Sequence, residues 1–327
     1  MIRNFAAVMA IAALGFMTGC ATPPPGEPPL MTIDSSRLPP ANISLTIPGL
    51  SQCTDSGDHT LKLNAQQPVT VLVHGCFSSA GRYRGMAQVL AFHGQQTVCF
   101  SYNDRDSLVV SAGQLDTALN QLSQKLDNKH ITVMGHSQGA LIARKAMSVS
   151  KSAAIEGGDV TMRLVTVSGP FGGIAAARHC GNPLWRTLSL GLVAPICQIV
   201  TGDKWSEITY TSPFIVEPGA LDPRVKDFLK IVTDEGGSCR RMSNGACVES
   251  DAIFSLAEQR NPAVDRDPLV NIVEVKAGHV EIVGNNRTGP VKLITVLQEH
   301  GVIKPTEPDR REKFGQLLTR LFGEAAQ

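Results

Sequence analysis

From about residue 69 onward, short apolar runs alternate with stretches that carry apolar residues on one helical face. The runs "VTVLVHG" (69–75), "TVCFSY" (97–102), "ITVMG" (131–135), "LVTVSG" (164–169), "FLKIVT" (228–233) and "VNIVEVKAG" (270–278) are rich in β-branched residues. They are nearly continuous in hydrophobicity, which predicts strands buried on both faces. Between them Leu115, Leu119, Leu122 and Leu126 recur at helical spacing, as do Phe314, Leu317, Leu318 and Leu321 near the end. Such alternation predicts an α/β fold: a mostly parallel sheet with helices on both faces. Ligands in sheets of this kind bind beyond the carboxyl ends of the strands.

The first forty residues break the pattern. Arg3 precedes the apolar run "FAAVMAIAALGF", and "MTGC" ends at Cys20. This is the layout of a secretory signal over 1–19, too short for a spanning helix. Gly19-Cys20 resembles the lipobox of bacterial lipoproteins, with Met17 an uncommon residue at its first position. The resemblance implies lipidation of Cys20 and attachment to a membrane, for which two or more acyl chains are needed. Residues 20–41 contain "TPPPGEPP" and read as a proline-rich tether. The folded domain is then expected over 42–304, with a C-terminal helix over 305–327.

An exported chain with eight cysteines is expected to form disulfides. Cys180 with Cys197 and Cys239 with Cys247 are the pairs nearest in sequence. Pairing among Cys53, Cys76 and Cys99 stays open, and lipidation of Cys20 would leave an odd thiol. The formal net charge of +1 and the lack of a basic stripe argue against a nucleic-acid partner. Neither HExxH nor cysteine–histidine metal spacing is present, so no metal or cofactor is expected.

Gly135-His136-Ser137-Gln138-Gly139 fits G-x-S-x-G between an apolar strand and the helix-forming "ALIARKAM". A strand that turns at once into a helix strains the serine backbone and crowds its neighbours, which only glycine tolerates. The turn lifts the hydroxyl into the crevice, so Ser137 is a candidate nucleophile.

"VLVHGCFSS", "GHSQGALIAR" and "AGHVEIVG" together resemble the α/β-hydrolase superfamily, in particular bacterial lipases and GPI-inositol-deacylase-like relatives, over roughly 68–300. The resemblance implies an α/β-hydrolase fold with a cap insertion, about 171–220, after the superfamily's sixth strand. It implies a serine hydrolase of carboxylic esters, of lipase or carboxylesterase type, acting on acyl-ester or lipid-like substrates. An acyltransferase on the same residues and a non-catalytic tethered lipoprotein are the alternatives. The superfamily order is serine, acid, histidine. Of His179, His279 and His300, loop placement after a strand favours His279. Among the aspartates between Ser137 and His279, two loop segments fit: "IVTDEGGSC" with Asp234 and "ESDAIFSLAEQ" with Asp251. The second resembles the superfamily's acid loop more closely, which makes Asp251 the expected acid. Oxyanion donors map to the backbone N–H groups of Cys76 and Gln138, and a disulfide at Cys76 would stiffen that loop. "CGNPLWRTLSLGLVAPICQIV" (180–200) is expected to form a disulfide-stapled lid over an acyl pocket.

Overall fold

The computed structural model describes residues 33–76, 78–149, 159–174, 203–285 and 287–323. The expected signal segment, Cys20 and the Cys180–Cys197 lid lie outside the described residues.

All six expected strands are present: β4 (Val69–Val73), β5 (Gln96–Phe100), β6 (His130–His136), β7 (Thr161–Val167), β8 (Val225–Asp234) and β11 (Val270–Lys276). They join a seven-stranded sheet in the order β11-β8-β7-β6-β4-β5-β2, parallel except for the short edge strand β2 (Leu50–Ser51), which runs antiparallel to β5. Two further pairs lie outside it: β1 (Ile43–Leu45) with β3 (Leu61–Leu63), and the hairpin β9 (Cys239–Ser243) with β10 (Ala246–Ser250). The hairpin turns on Asn244-Gly245, both at positive φ, a dipeptide suited to a tight two-residue turn.

Alternate strand residues face opposite layers. Val71, Val133, Leu164 and Phe228 pack into one core with α2 (Leu108–Lys125) and α3 (Gln138–Ala146), whereas Leu72, Met134, Val165 and Leu229 pack into the other. That second layer holds α1 (Arg84–Phe92), α5 (Val291–Glu299) and α6 (Arg311–Phe322); α4 is the single turn Leu256–Gln259. Leu115, Leu119 and Leu122 of α2, with Leu126 just past its end, are fully inside, as their spacing predicts. One expectation fails at the edge: β11 is exposed at every second or third position, since it closes the sheet with only one neighbour.

Among the described residues, two disulfides stitch this frame. Cys53–Cys99 ties the segment after β2 to β5, and Cys239–Cys247 closes the hairpin. Cys76 is a free thiol, so the stiffening by a disulfide expected for its loop does not occur. With Cys99 inside the sheet already paired to Cys53, both partners open to Cys76 are taken.

Candidate active site

The strand–turn–helix corner forms between β6 and α3, with a single residue making the bend. Ser137 has φ 57° and ψ −127°, a conformation that non-glycine residues hold only when their surroundings enforce it. Its N–H donates to Val167 O at 2.9 Å and its carbonyl accepts from Ala140 N at 3.0 Å. Close approach explains the glycines. A Cβ on Gly135 would lie 2.3 Å from Gly139 O, and one on Gly139 would lie 2.3 Å from Val73 O. No side chain fits at either position without moving main chain. The loop after β4 passes over the same corner, where a Cβ on Gly75 would come within 3.0 Å of Ser137 Cβ.

His279 follows β11 on the loop at the carboxyl edge of the sheet, as expected. Its Nε2 lies 3.0 Å from Ser137 Oγ, and both side chains are buried. The acid differs from expectation. The carboxylate on His279 Nδ1 belongs to Glu235, whose Oε1 is 2.9 Å away. Asp251 does not contact the imidazole through its carboxylate; it bonds to Arg240 Nε and to the backbone N–H groups of Val280 and Glu281. Asp234 points to the surface and pairs with Lys276 at 2.8 Å. The reason is strand geometry. Asp234 is the last residue of β8 and stands on its exposed side; the next residue, Glu235, points inward, and its extra methylene spans the gap to the imidazole.

Every acceptor site of Glu235 is used. Oε2 receives the N–H groups of Ile253 (2.6 Å) and Phe254 (2.8 Å). Oε1 receives Ser168 Oγ–H at 2.7 Å, with Thr233 Oγ1 at 2.9 Å and Nδ1 of His279. Burial alone would raise the acid's pKa, but the bond from His279 and these donors outweigh it and hold the carboxyl at about 2. Glu235 is therefore ionised at neutral pH, which favours the His279 tautomer with a proton on Nδ1 and a lone pair toward Ser137. Ser168 lies 2.9 Å from Nδ1 as well, and it too holds a strained positive φ of 48°. From the opposite side His136 donates Nε2–H to the His279 carbonyl at 2.9 Å. Burial, then the nearby His279, push the His136 pKa down to about 3, so this second histidine stays neutral. Phe254 packs edge-on against the His279 ring.

Gln138 is the first residue of α3, so its N–H has no partner within the helix and lies at the positive end of the helix dipole. Cys76 comes from the loop beside Ser137. Its thiol accepts from Lys204 Nζ at 3.0 Å, and Lys204 also donates to Asp104 O, which Gln138 Nε2 meets at 3.3 Å. Burial pushes the Cys76 thiol up to about 11, against the pull of Lys204. A thiol that stays protonated is a weak nucleophile. No group of histidine, cysteine or carboxylate side chains among the described residues could hold a metal ion.

The structure thus brings Ser137, His279, Cys76 and Gln138 to one place and puts Asp251 one layer behind. Glu235, Ser168, Thr233 and His136 are the residues that sequence reasoning missed. The parallel sheet order, the strained serine corner and the serine–acid–histidine sequence define an α/β-hydrolase fold. Within it, residues 68–215 match the family model described as palmitoyl protein thioesterase. That match contains the serine corner and stops short of Glu235 and His279. No curated protein matches the chain in sequence. Among solved structures, the mature lipase BlEst2 of Bacillus licheniformis is 14% identical, with 70% of this chain and 89% of that chain covered and a TM-score of 0.44. The esterase Pf2001 of Pyrococcus furiosus is 17% identical over 86% and 98% of the two chains, TM-score 0.45. Esterase B of Lactobacillus rhamnosis is 12% identical over 84% and 88%, TM-score 0.44.

Proposed function

We propose that the protein is a serine hydrolase that cleaves acyl esters through a covalent acyl group on Ser137. The observation that carries this reading is the unbroken buried chain from Ser137 Oγ through His279 to Glu235, at 3.0 and 2.9 Å. An alcohol is a weak nucleophile at neutral pH and needs a base within hydrogen-bond reach. In the proposed reaction His279 Nε2 takes the hydroxyl proton as Ser137 Oγ attacks the acyl carbon. Glu235 stabilises the resulting imidazolium, and the N–H groups of Cys76 and Gln138 receive the oxyanion. Each such donor contributes about 3 kcal/mol in the transition state. The imidazolium then returns its proton to the leaving group, and water repeats the sequence in reverse roles.

The matched family's description makes a thioester the second substrate class to test beside oxyesters. A long acyl chain suits the apolar cap expected at 180–200. The test is a series of oxyesters and thioesters whose acyl chain lengthens from two to sixteen carbons. Catalytic efficiency is expected to rise with length, by up to about fourfold per buried methylene, until the pocket ends. A maximum at two to four carbons would contradict the long-chain assignment. Export and lipidation at Cys20 belong to the same proposal: the tether would hold the catalytic domain at a membrane surface. What supports it is the order of basic residue, apolar run and Gly19-Cys20. Among the described residues no helix is long and apolar enough to cross a membrane.

A further inference from the structure

Asp251 is buried, conspicuous and outside the proton path. Its carbonyl accepts the N–H of His279 itself at 2.9 Å. Its carboxylate accepts the next two amides, Val280 at 3.1 Å and Glu281 at 3.0 Å. One residue therefore fixes the main chain at His279 and on through the two residues after it, and so aims the imidazole. The neighbour before His279 has to be glycine for this to work, since a Cβ on Gly278 would fall 2.2 Å from Asp251 Oδ2. A buried carboxylate that serves only amides lacks a counter-charge. Arg240 supplies it: Nε donates to Asp251 Oδ1 at 2.6 Å. Arg240 is held in turn by the β9–β10 hairpin, next to the half-cystine Cys239 of the bridge to Cys247, with Glu249 3.8 Å from its Nη1.

We infer that the Arg240–Asp251 pair is a positioning device through which the disulfide-closed hairpin sets the orientation of His279. This rests on the reading of Ser137 and His279 under Proposed function. Neither Arg240 nor Asp251 touches the reacting atoms. With Arg240 gone, the carboxylate loses its counter-charge and its fixed position, and its bonds to Val280 and Glu281 loosen. The imidazole then spends less time in line with Ser137 Oγ. Both residues act on the orientation of the imidazole, so the loss is expected in kcat rather than in KM.

The test uses the full chain with Arg240→Gln, Arg240→Lys and, as control, Arg241→Gln, which alters a neighbouring exposed arginine of the same hairpin. Activity is read as kcat and KM per active site titrated with a fluorophosphonate, and the clamp is read as hydrogen exchange of the Val280 and Glu281 amides. For Arg240→Gln, kcat is expected to fall by roughly tenfold or more, as misplacement of a catalytic group does, with KM unchanged. Exchange at both amides should speed up about tenfold, in proportion to the weakened bonds. Arg240→Lys should recover most of both losses, and Arg241→Gln should match the native protein. Native kcat in Arg240→Gln, or a lower melting temperature with full kcat per titrated site, would overturn the inference. Unaltered amide exchange would overturn it too. A native protein that neither reacts with the probe nor turns over ester would defeat the reading of Ser137 instead, while the exchange data still decide whether the clamp exists.

Discussion

Ser137→Ala is expected to lower turnover by roughly a millionfold, the scale seen when a nucleophile is removed from a cooperating set. The corner itself should survive. Alanine has the same backbone preference as serine, so the strain at φ 57° is unchanged, and both glycine contacts that permit the bend are intact. What disappears is the oxygen that stands 3.0 Å from His279 Nε2. Folding stability should therefore change by about 1 kcal/mol or less, the net worth of one hydrogen bond. Matched kinetic and thermal-melting measurements on the two proteins check both halves. A variant that folds and keeps a tenth of native turnover would mean that another group attacks the substrate.

The second large effect is expected from Glu235→Gln, with kcat down by roughly ten-thousandfold, the scale of losing the correct imidazole tautomer. Donor and acceptor matching dictates how the new amide sits. The N–H groups of Ile253 and Phe254 can only donate, so they select the amide oxygen of the new side chain. Its NH2 is then left facing His279 Nδ1, Ser168 and Thr233. The hydroxyls can turn and accept, but Nδ1 must also become an acceptor. That moves the imidazole proton to Nε2, where it points at the Ser137 oxygen it should be receiving a proton from. Asp234→Asn, one residue earlier, should stay within about threefold of native, because its partner is the exposed Lys276 and surface pairs contribute little. Equal losses in the two variants would contradict the assignment. The same acid predicts a pH signature. Its pKa in the folded protein is near 2, below the ordinary 4.5, so its contribution to stability is fully present above about 4.5. That contribution fades as pH falls toward 2. The stability gap between native and Glu235→Gln, read by urea unfolding, should be constant at neutral pH and narrow in that acidic window.

Why was the acid harder to read than the rest? Continuous apolar runs mark the inner strands because burial on two faces leaves little room for polar residues, and β11, open at the sheet edge, still carries Val270, Ile272, Val273 and Val275 among its exposed polar positions. The serine corner was legible because its glycines are dictated by main-chain contacts of 2.3 Å, a purely local requirement. His279 could be reached from its place after a strand. The acid depends instead on which of two adjacent carboxylates turns inward at the end of β8, and on side-chain reach across the sheet edge. Glutamate serves in this role as well as aspartate does. Strand alternation across "VTDE" could have pointed to Glu235, since Thr233 and Glu235 share the inner side. The resemblance of "DAIFSLAEQ" to the superfamily's acid loop points to Asp251, but that residue holds the backbone of the histidine loop rather than its ring. The hairpin that delivers Arg240 carried a local signal, Asn244-Gly245 between half-cystines, but its contact with the loop is long-range and has no periodic trace. Cys76 likewise could not be assigned until Cys53 and Cys99 were seen to be neighbours.

The central claim is that one strained hydroxyl, activated by His279, does the chemistry. Its most direct test is to treat the full-length protein with a fluorophosphonate and locate the adduct by peptide mass. The account predicts one equivalent bound to the peptide that contains Ser137, and none in His279→Ala under the same conditions. Labelling on any other residue, or native protein that stays unmodified at high probe concentration, would contradict it.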